Sequence, residues 1–200
     1  MLKLEEITHR FGETAVLEDV SVVAEAGRAR AIVGPNAAGK TTLMRIAGGL
    51  LEPTAGRVTL EGESVAEMSR REVAGQLSIM RQAAPQVFGY TALELVLMGF
   101  HAESSRFSLP SEAQVERARG AMADLEIEGL AERPATVLSG GELQRVLMAR
   151  TMVADTPIWL LDEPTSHLDM RHRVALLDQM RGHLDEGGAV LAVLHDLALV

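Results

Sequence analysis

The chain has no cysteine among its 200 residues. Disulfides, thiolate zinc sites and cysteine nucleophiles are therefore excluded, a composition compatible with a reducing compartment. Aromatic residues are scarce at 3%, with a single tryptophan and a single tyrosine, which argues against stacking platforms for single-stranded nucleic acid. Basic residues are outnumbered. The 19 Lys and Arg face 28 Asp and Glu, a net charge of −9, so no nucleic-acid partner is expected through generic phosphate contacts. Long apolar runs are missing too. The late run at residues 189–194 is far too short to span a bilayer. The N-terminus, Met1-Leu2-Lys3-Leu4-Glu5-Glu6, turns acidic at once and lacks the apolar segment of a signal peptide. What is present is ordinary for a globular protein: 47% hydrophobic and 24% charged residues, in a chain long enough to bury a sizeable core.

Strand and helix signals alternate along the chain. Strand character falls at Leu2 and Leu4, at 16–24, at 28–33, at 57–60 and at 77–80, and late strands are expected at 158–161 and 189–194. Helices are expected near 39–48, 141–154 and 170–184. Three capping-box patterns, Ser69-Arg70-Arg71-Glu72, Thr91-Ala92-Leu93-Glu94 and Ser111-Glu112-Ala113-Gln114, mark further helix starts in the middle third. Residues 104–110 read as a loop. Alternating strands and helices imply an α/β domain with a mainly parallel sheet, and the helical middle reads as an insertion.

Three strings carry chemistry. Gly34-Pro35-Asn36-Ala37-Ala38-Gly39-Lys40-Thr41, followed by Thr42, fits the full G-x-x-x-x-G-K-[ST] phosphate loop. Glycines let successive N–H groups face one anion, and the following helix adds its positive end. Lys40 can reach the outer phosphates, and the Thr41 hydroxyl can ligate Mg²⁺. Ile158-Trp159-Leu160-Leu161-Asp162-Glu163 is an apolar strand ending in two carboxylates. Asp162 can hold a metal shell, and Glu163 can orient or deprotonate an attacking water. Together these two strings describe a P-loop NTPase. Leu138-Ser139-Gly140-Gly141-Glu142 is a glycine-rich helix start with a capping box, hence a second anion-facing site. One chain has little need for two such sites on one triphosphate, so the second is expected to serve a nucleotide held by another copy.

In these motifs and their order the chain resembles the ATP-binding subunits of ABC transporters over essentially its whole length. The resemblance implies a RecA-like core with a mainly parallel sheet and an N-terminal antiparallel β portion, plus an inserted helical subdomain. It makes 1–200 a single ABC ATPase domain, with 1–82 and 155–200 as the ATP-binding core and 83–154 as the helical, signature-bearing part. It also implies a head-to-tail homodimer sandwiching two ATP molecules, in which Ser139, Gly140 and Gly141 contact the γ-phosphate on the partner. Phe11 would stack on adenine, Gln82 would contact Mg²⁺ and water, Asp169 of Ser166-His167-Leu168-Asp169 would cross the interface, and His195 would contact the γ-phosphate. Catalytic work is thus expected of Lys40, Glu163, Gln82 and His195, and metal binding of Thr41, Gln82 and Asp162. Ala37 stands where the family most often has Gly.

The resemblance further implies permease subunits as partners, an indirect link to a solute-binding protein, and a peripheral position on the cytoplasmic face of the cell membrane. The apolar stretch at 90–99 would form the groove that receives the permease. Thr165-Ser166-His167-Leu168-Asp169 and Leu194-His195-Asp196-Leu197 are similar to importers of iron-siderophore, haem and cobalamin. Another solute, an exporter, or a non-transport ATPase of the same family stays open. Family cassettes continue beyond the position of His195, so a truncated C-terminal end is expected. The other histidines, His9, His101, His172 and His183, lack paired metal spacing.

Overall fold

The computed structural model describes residues 1–81, 89–102 and 109–194. They fall into two compact units: Met1–Ile79 with Thr156–Glu163 and the stretch from His183, and Met80–Asp155 with Pro164–Gly182. The sequence reading put all of 155–200 with the ATP-binding core. The contacts place Pro164–Gly182 with the helical unit instead.

The first unit holds two four-stranded sheets. One is antiparallel, in the order β2 (Thr14–Ala24), β1 (Leu2–Phe11), β4 (Ala55–Leu60), β5 (Glu63–Ser64). On β1 the buried residues are Leu2 and Leu4, then Ile7 and His9. The change of parity follows from a register shift between Leu4 and Ile7, with Glu6 at φ 53°, the signature of a bulge. The other sheet runs β3 (Ala29–Ile32), β8 (Ala189–Val193), β7 (Ile158–Asp162), β6 (Leu77–Met80), and both β3–β8 and β8–β7 pair in parallel. Every residue of β7 and β8 is buried, as expected of parallel strands covered on both faces. Helix α1 (Lys40–Ala47) supplies Leu43, Met44 and Ile46 to one apolar cluster that joins Leu2, Leu4 and Leu60 to Leu160, Leu191 and Val193. Helix α2 (Arg70–Gln76) starts at the Ser69 capping box.

In the second unit α3 (Ala92–Leu97), α4 (Glu112–Asp124) and α5 (Gly140–Val153) pack on one another, joined by most of α6 (Met170–Asp185). The boxes at Thr91, Ser111 and Ser139 each form both reciprocal hydrogen bonds. Ala92, Leu93, Leu95 and Val96 of α3 are buried. Their apolar character therefore answers to α4 and α5. Among the described residues no helix is long and apolar enough to cross a membrane.

Candidate functional site

The phosphate loop leaves the carboxyl end of β3 and enters α1 at Lys40. Gly39 precedes the helix at φ 83°, with no side-chain cap. A Cβ at Gly39 would lie 2.7 Å from the Val16 carbonyl oxygen and 2.9 Å from Leu17 Cδ2. Both backbone conformation and packing therefore demand glycine there. Ala37 also takes positive φ, at 63°, which costs an L-residue energy. The buried Lys40 folds back over the loop. Its Nζ donates to the Gly34 carbonyl at 2.8 Å and to the Pro35 carbonyl at 2.7 Å. Gly34, Pro35, Asn36, Ala37, Ala38 and Thr41 are exposed, and Thr42 is half-buried.

The acidic strand end leaves the same sheet edge. Ile32 pairs with Val193, and Val193 with Asp162. The ladder continues one step further, with Leu194 N–H donating to the Ile32 carbonyl and Glu163 N–H to the Val193 carbonyl, both at 3.1 Å. The loop after Ile32 and the pair Asp162-Glu163 thus start level, two strand spacings or about 10 Å apart, at the carboxyl edge where open α/β sheets bind ligands. Helix α1 also packs against β7. Asp162 is buried, and Glu163, half-buried, takes φ 56°, a turn that the sequence did not reveal.

The donor chemistry fits a divalent cation. Thr41 offers an exposed hydroxyl and Asp162 a carboxylate, both hard oxygen ligands. Among the described residues no group of three or more His, Asp and Glu gathers as a metal cage. A cation here would complete its shell from phosphate oxygens and water, as Mg²⁺ does.

The second unit carries the other glycine-rich start. Glu142 N–H donates to Ser139 Oγ at 3.3 Å, and Ser139 N–H donates to the Glu142 carboxylate at 2.7 Å. Those bonds to Ser139, backbone first, hold the Glu142 carboxyl below its ordinary range. Ser139 and Gly140 remain exposed. Asp169 accepts from the His172 N–H at 3.0 Å and caps α6, and this bond keeps its carboxyl low as well. His172 Nδ1 lies 2.9 Å from the Asp169 carboxylate.

Phe11 ends β1 half-exposed, its ring edge-on to the buried His9 at 4.7 Å between centroids. Among the described residues neither ring nitrogen of His9 has a hydrogen-bond partner, and nothing in the sequence signalled this burial. His183 stacks on Trp159 at 3.9 Å. Gln82 and His195 lie outside the described residues.

A parallel sheet with a glycine loop running into α1, and carboxylates leaving the same edge, defines a P-loop nucleoside-triphosphatase cassette of the α/β class. Residues 17–166 match the ABC transporter family, and the chain belongs to that family. It is similar to the cobalamin import ATP-binding protein BtuD of Halobacterium salinarum, 40% identical over 188 residues, covering 93% of this chain and 46% of that protein. The hemin import ATP-binding protein HmuV of Agrobacterium fabrum is 36% identical, covering 100% of this chain and 77% of that one. The petrobactin import ATP-binding protein FpuD of Bacillus anthracis is 34% identical, covering 99% and 73%. The chain thus spans less than half of the halobacterial relative and about three quarters of the other two. Among solved structures, an ATP-binding subunit of an ABC transporter superposes with a TM-score of 0.88 at 26% identity, covering 100% of this chain and 81% of that one. A dimeric bacterial ABC transporter cassette gives 0.88 at 28%, covering 100% and 90%.

Proposed function

We propose that the chain binds and hydrolyses ATP with Mg²⁺, as the ATP-binding subunit of an importer for an iron chelate, haem or cobalamin. One observation carries the catalytic part: the phosphate loop and the Asp162-Glu163 pair leave one sheet edge level with each other. The import class is supported by relatives whose names specify cobalamin, hemin and petrobactin import.

In this reading the loop N–H groups from Gly34 to Thr41, with Thr42 beyond, and the start of α1 cradle the phosphates. Lys40 exchanges its carbonyl partners for the outer phosphates, and Phe11 stacks on the base. Thr41, Asp162 and Gln82 would hold Mg²⁺, which neutralises charge developing on the phosphates. Glu163 orients and deprotonates the attacking water. Ser139, Gly140 and Gly141 face the nucleotide of a second copy across a head-to-tail dimer, Asp169 lies at that interface, and His195 contacts the γ-phosphate. Catalysis is chiefly positioning and charge stabilisation. Permease subunits, reached on the cytoplasmic face of the membrane and loaded by a solute-binding protein, take up the work of closure.

Glu163→Gln tests the assignment. The substitution keeps size and removes the base, so ATP affinity should hold while turnover falls by about 10²–10⁴. Equilibrium nucleotide binding and steady-state phosphate release read the two. Unchanged turnover would take Glu163 out of the role. ATPase stimulation on reconstitution with the permease and an iron chelate, haem or cobalamin tests the transport assignment, and absence of any response would count against the solute class.

A further inference from the structure

The two signature glycines meet the chain's own loop in different ways. A Cβ on Gly140 would lie 3.3 Å from Cγ of the His167 ring and 3.4 Å from His167 Cβ. A Cβ on Gly141 would lie 2.7 Å from the His167 carbonyl oxygen. The first neighbour is side chain and the second is backbone. His167 itself sits at φ 61°, a left-handed conformation uncommon outside Gly, which His, like Asn and Asp, adopts more often than other residues. It is held on both sides. Leu168 next to it is buried and donates its N–H to the Thr165 carbonyl at 3.4 Å, while Arg173 Nε donates to the Leu168 carbonyl at 3.0 Å. Asp169 then anchors the loop as the cap of α6.

We propose that His167 is a positioning residue that fits the 165–169 loop to the first turn of α5, its ring against Gly140 and its carbonyl against Gly141. The proposal rests on the ATPase reading for its activity readout. It adds that Gly140 is small because this chain's own imidazole occupies the space, independently of any nucleotide. Through this fit the Ser139 start and the Asp169 loop keep one spacing, so a shift of either moves the other. A ring of this size in left-handed backbone gauges the gap. A smaller residue would leave the two segments free to drift.

The test is a double-mutant cycle of Gly140→Ala with His167→Gly, run beside Gly141→Ala with His167→Gly. Alone, Gly140→Ala should lower kcat at least about tenfold and the melting temperature by roughly 2–4 °C. His167→Gly alone should lower kcat with KM for ATP unchanged, because the residue positions the loop without binding ATP. On the His167→Gly background Gly140→Ala should no longer lower the melting temperature. Alanine's better helix propensity then acts without a clash. Gly141→Ala should stay damaging on both backgrounds, because the carbonyl remains. His167→Asn, which tolerates left-handed backbone, should restore most of the activity lost in His167→Gly. Equal damage by Gly140→Ala on both backgrounds, or rescue of Gly141→Ala by His167→Gly, would overturn the proposal. The melting temperatures decide it even if the wild-type chain hydrolyses nothing, an outcome that would instead remove the ATPase reading.

Discussion

Helices α1 and α5 both begin among glycines, yet their first turns are closed in opposite ways. The start of α1 has no side-chain cap and no acid in its first turn, and its lysine is the first helical residue. The start of α5 is closed by Ser139 and Glu142, which satisfy each other's N–H groups and place a carboxylate in the first turn. Unsatisfied N–H groups and a positive helix end attract an anion, and α1 keeps both. At α5 the box has already used the serine hydroxyl and compensated part of the dipole, so the exposed Ser139 and Gly140 offer a weaker, shaped surface. The difference assigns them different work. In the proposed function, the first turn of α1 takes the phosphates by itself, and that of α5 adds a second contact to an anion already held elsewhere.

The sharpest way to break this contrast is at Lys40. Lys40→Ala removes the cation from the open start together with the two hydrogen bonds to Gly34 and Pro35. Loss of one preorganised electrostatic donor costs about 10²–10³ in rate, so kcat/KM for ATP should fall at least about a hundredfold. Binding of a labelled nucleotide should weaken in parallel, while circular dichroism stays that of the wild type. A variant that binds ATP normally would show that α1 does not depend on its own cation.

Much of this contrast was legible in the sequence, for local reasons. Capping boxes are written in four consecutive residues, and all of those read from the sequence form, Ser139 and Glu142 included. The buried run at 158–161 and the apolar run at 189–194 named β7 and β8, because strands covered on both faces carry no polar alternation. What was hidden depends on backbone conformation or on distant contacts. Left-handed Ala37, Glu163 and His167 have side chains that do not announce such a turn. The bulge at Glu6 breaks the alternation that would have marked β1 as one ten-residue strand. The grouping of Pro164–Gly182 with the helical unit rests on contacts between segments far apart in the chain. The burial of His9 follows from packing that its neighbours in sequence do not encode.

A smaller effect is expected at Ala37, on the open side of the contrast. Alanine at φ 63° carries roughly 1–2 kcal/mol of left-handed strain, against which glycine loses about 0.5–1 kcal/mol through its freer unfolded chain. Ala37→Gly should therefore raise stability by up to about 1.5 kcal/mol, at most roughly 3–6 °C in melting temperature for a chain of this size. Nucleotide affinity should stay within a few fold, because the N–H at that position is unchanged. A lower melting temperature would mean that the loop in solution does not hold Ala37 in this conformation.

The smallest effect separates the two starts by pH. Glu142 has its carboxyl held low by the Ser139 N–H and hydroxyl, so folding favours its ionised form. The stabilisation it provides is complete above the ordinary carboxylate range and is lost as the pH falls through the lowered value. Glu142→Gln keeps the geometry of the box, since glutamine serves at the same position, but removes the titration. At neutral pH the variant should lose only a few tenths of a kcal/mol, the scale of a charge at a partly exposed helix start. On acidification, the protection of the first amides of α5, measured as exchange relative to the intrinsic rate at each pH, should fall in the wild type and stay flatter in the variant. The first turn of α1 contains no acid, so its amides should respond to the same pH change alike in both proteins. Equal pH slopes at α5 in wild type and variant would mean that Ser139 alone closes that helix, and that the carboxylate contributes shape without charge.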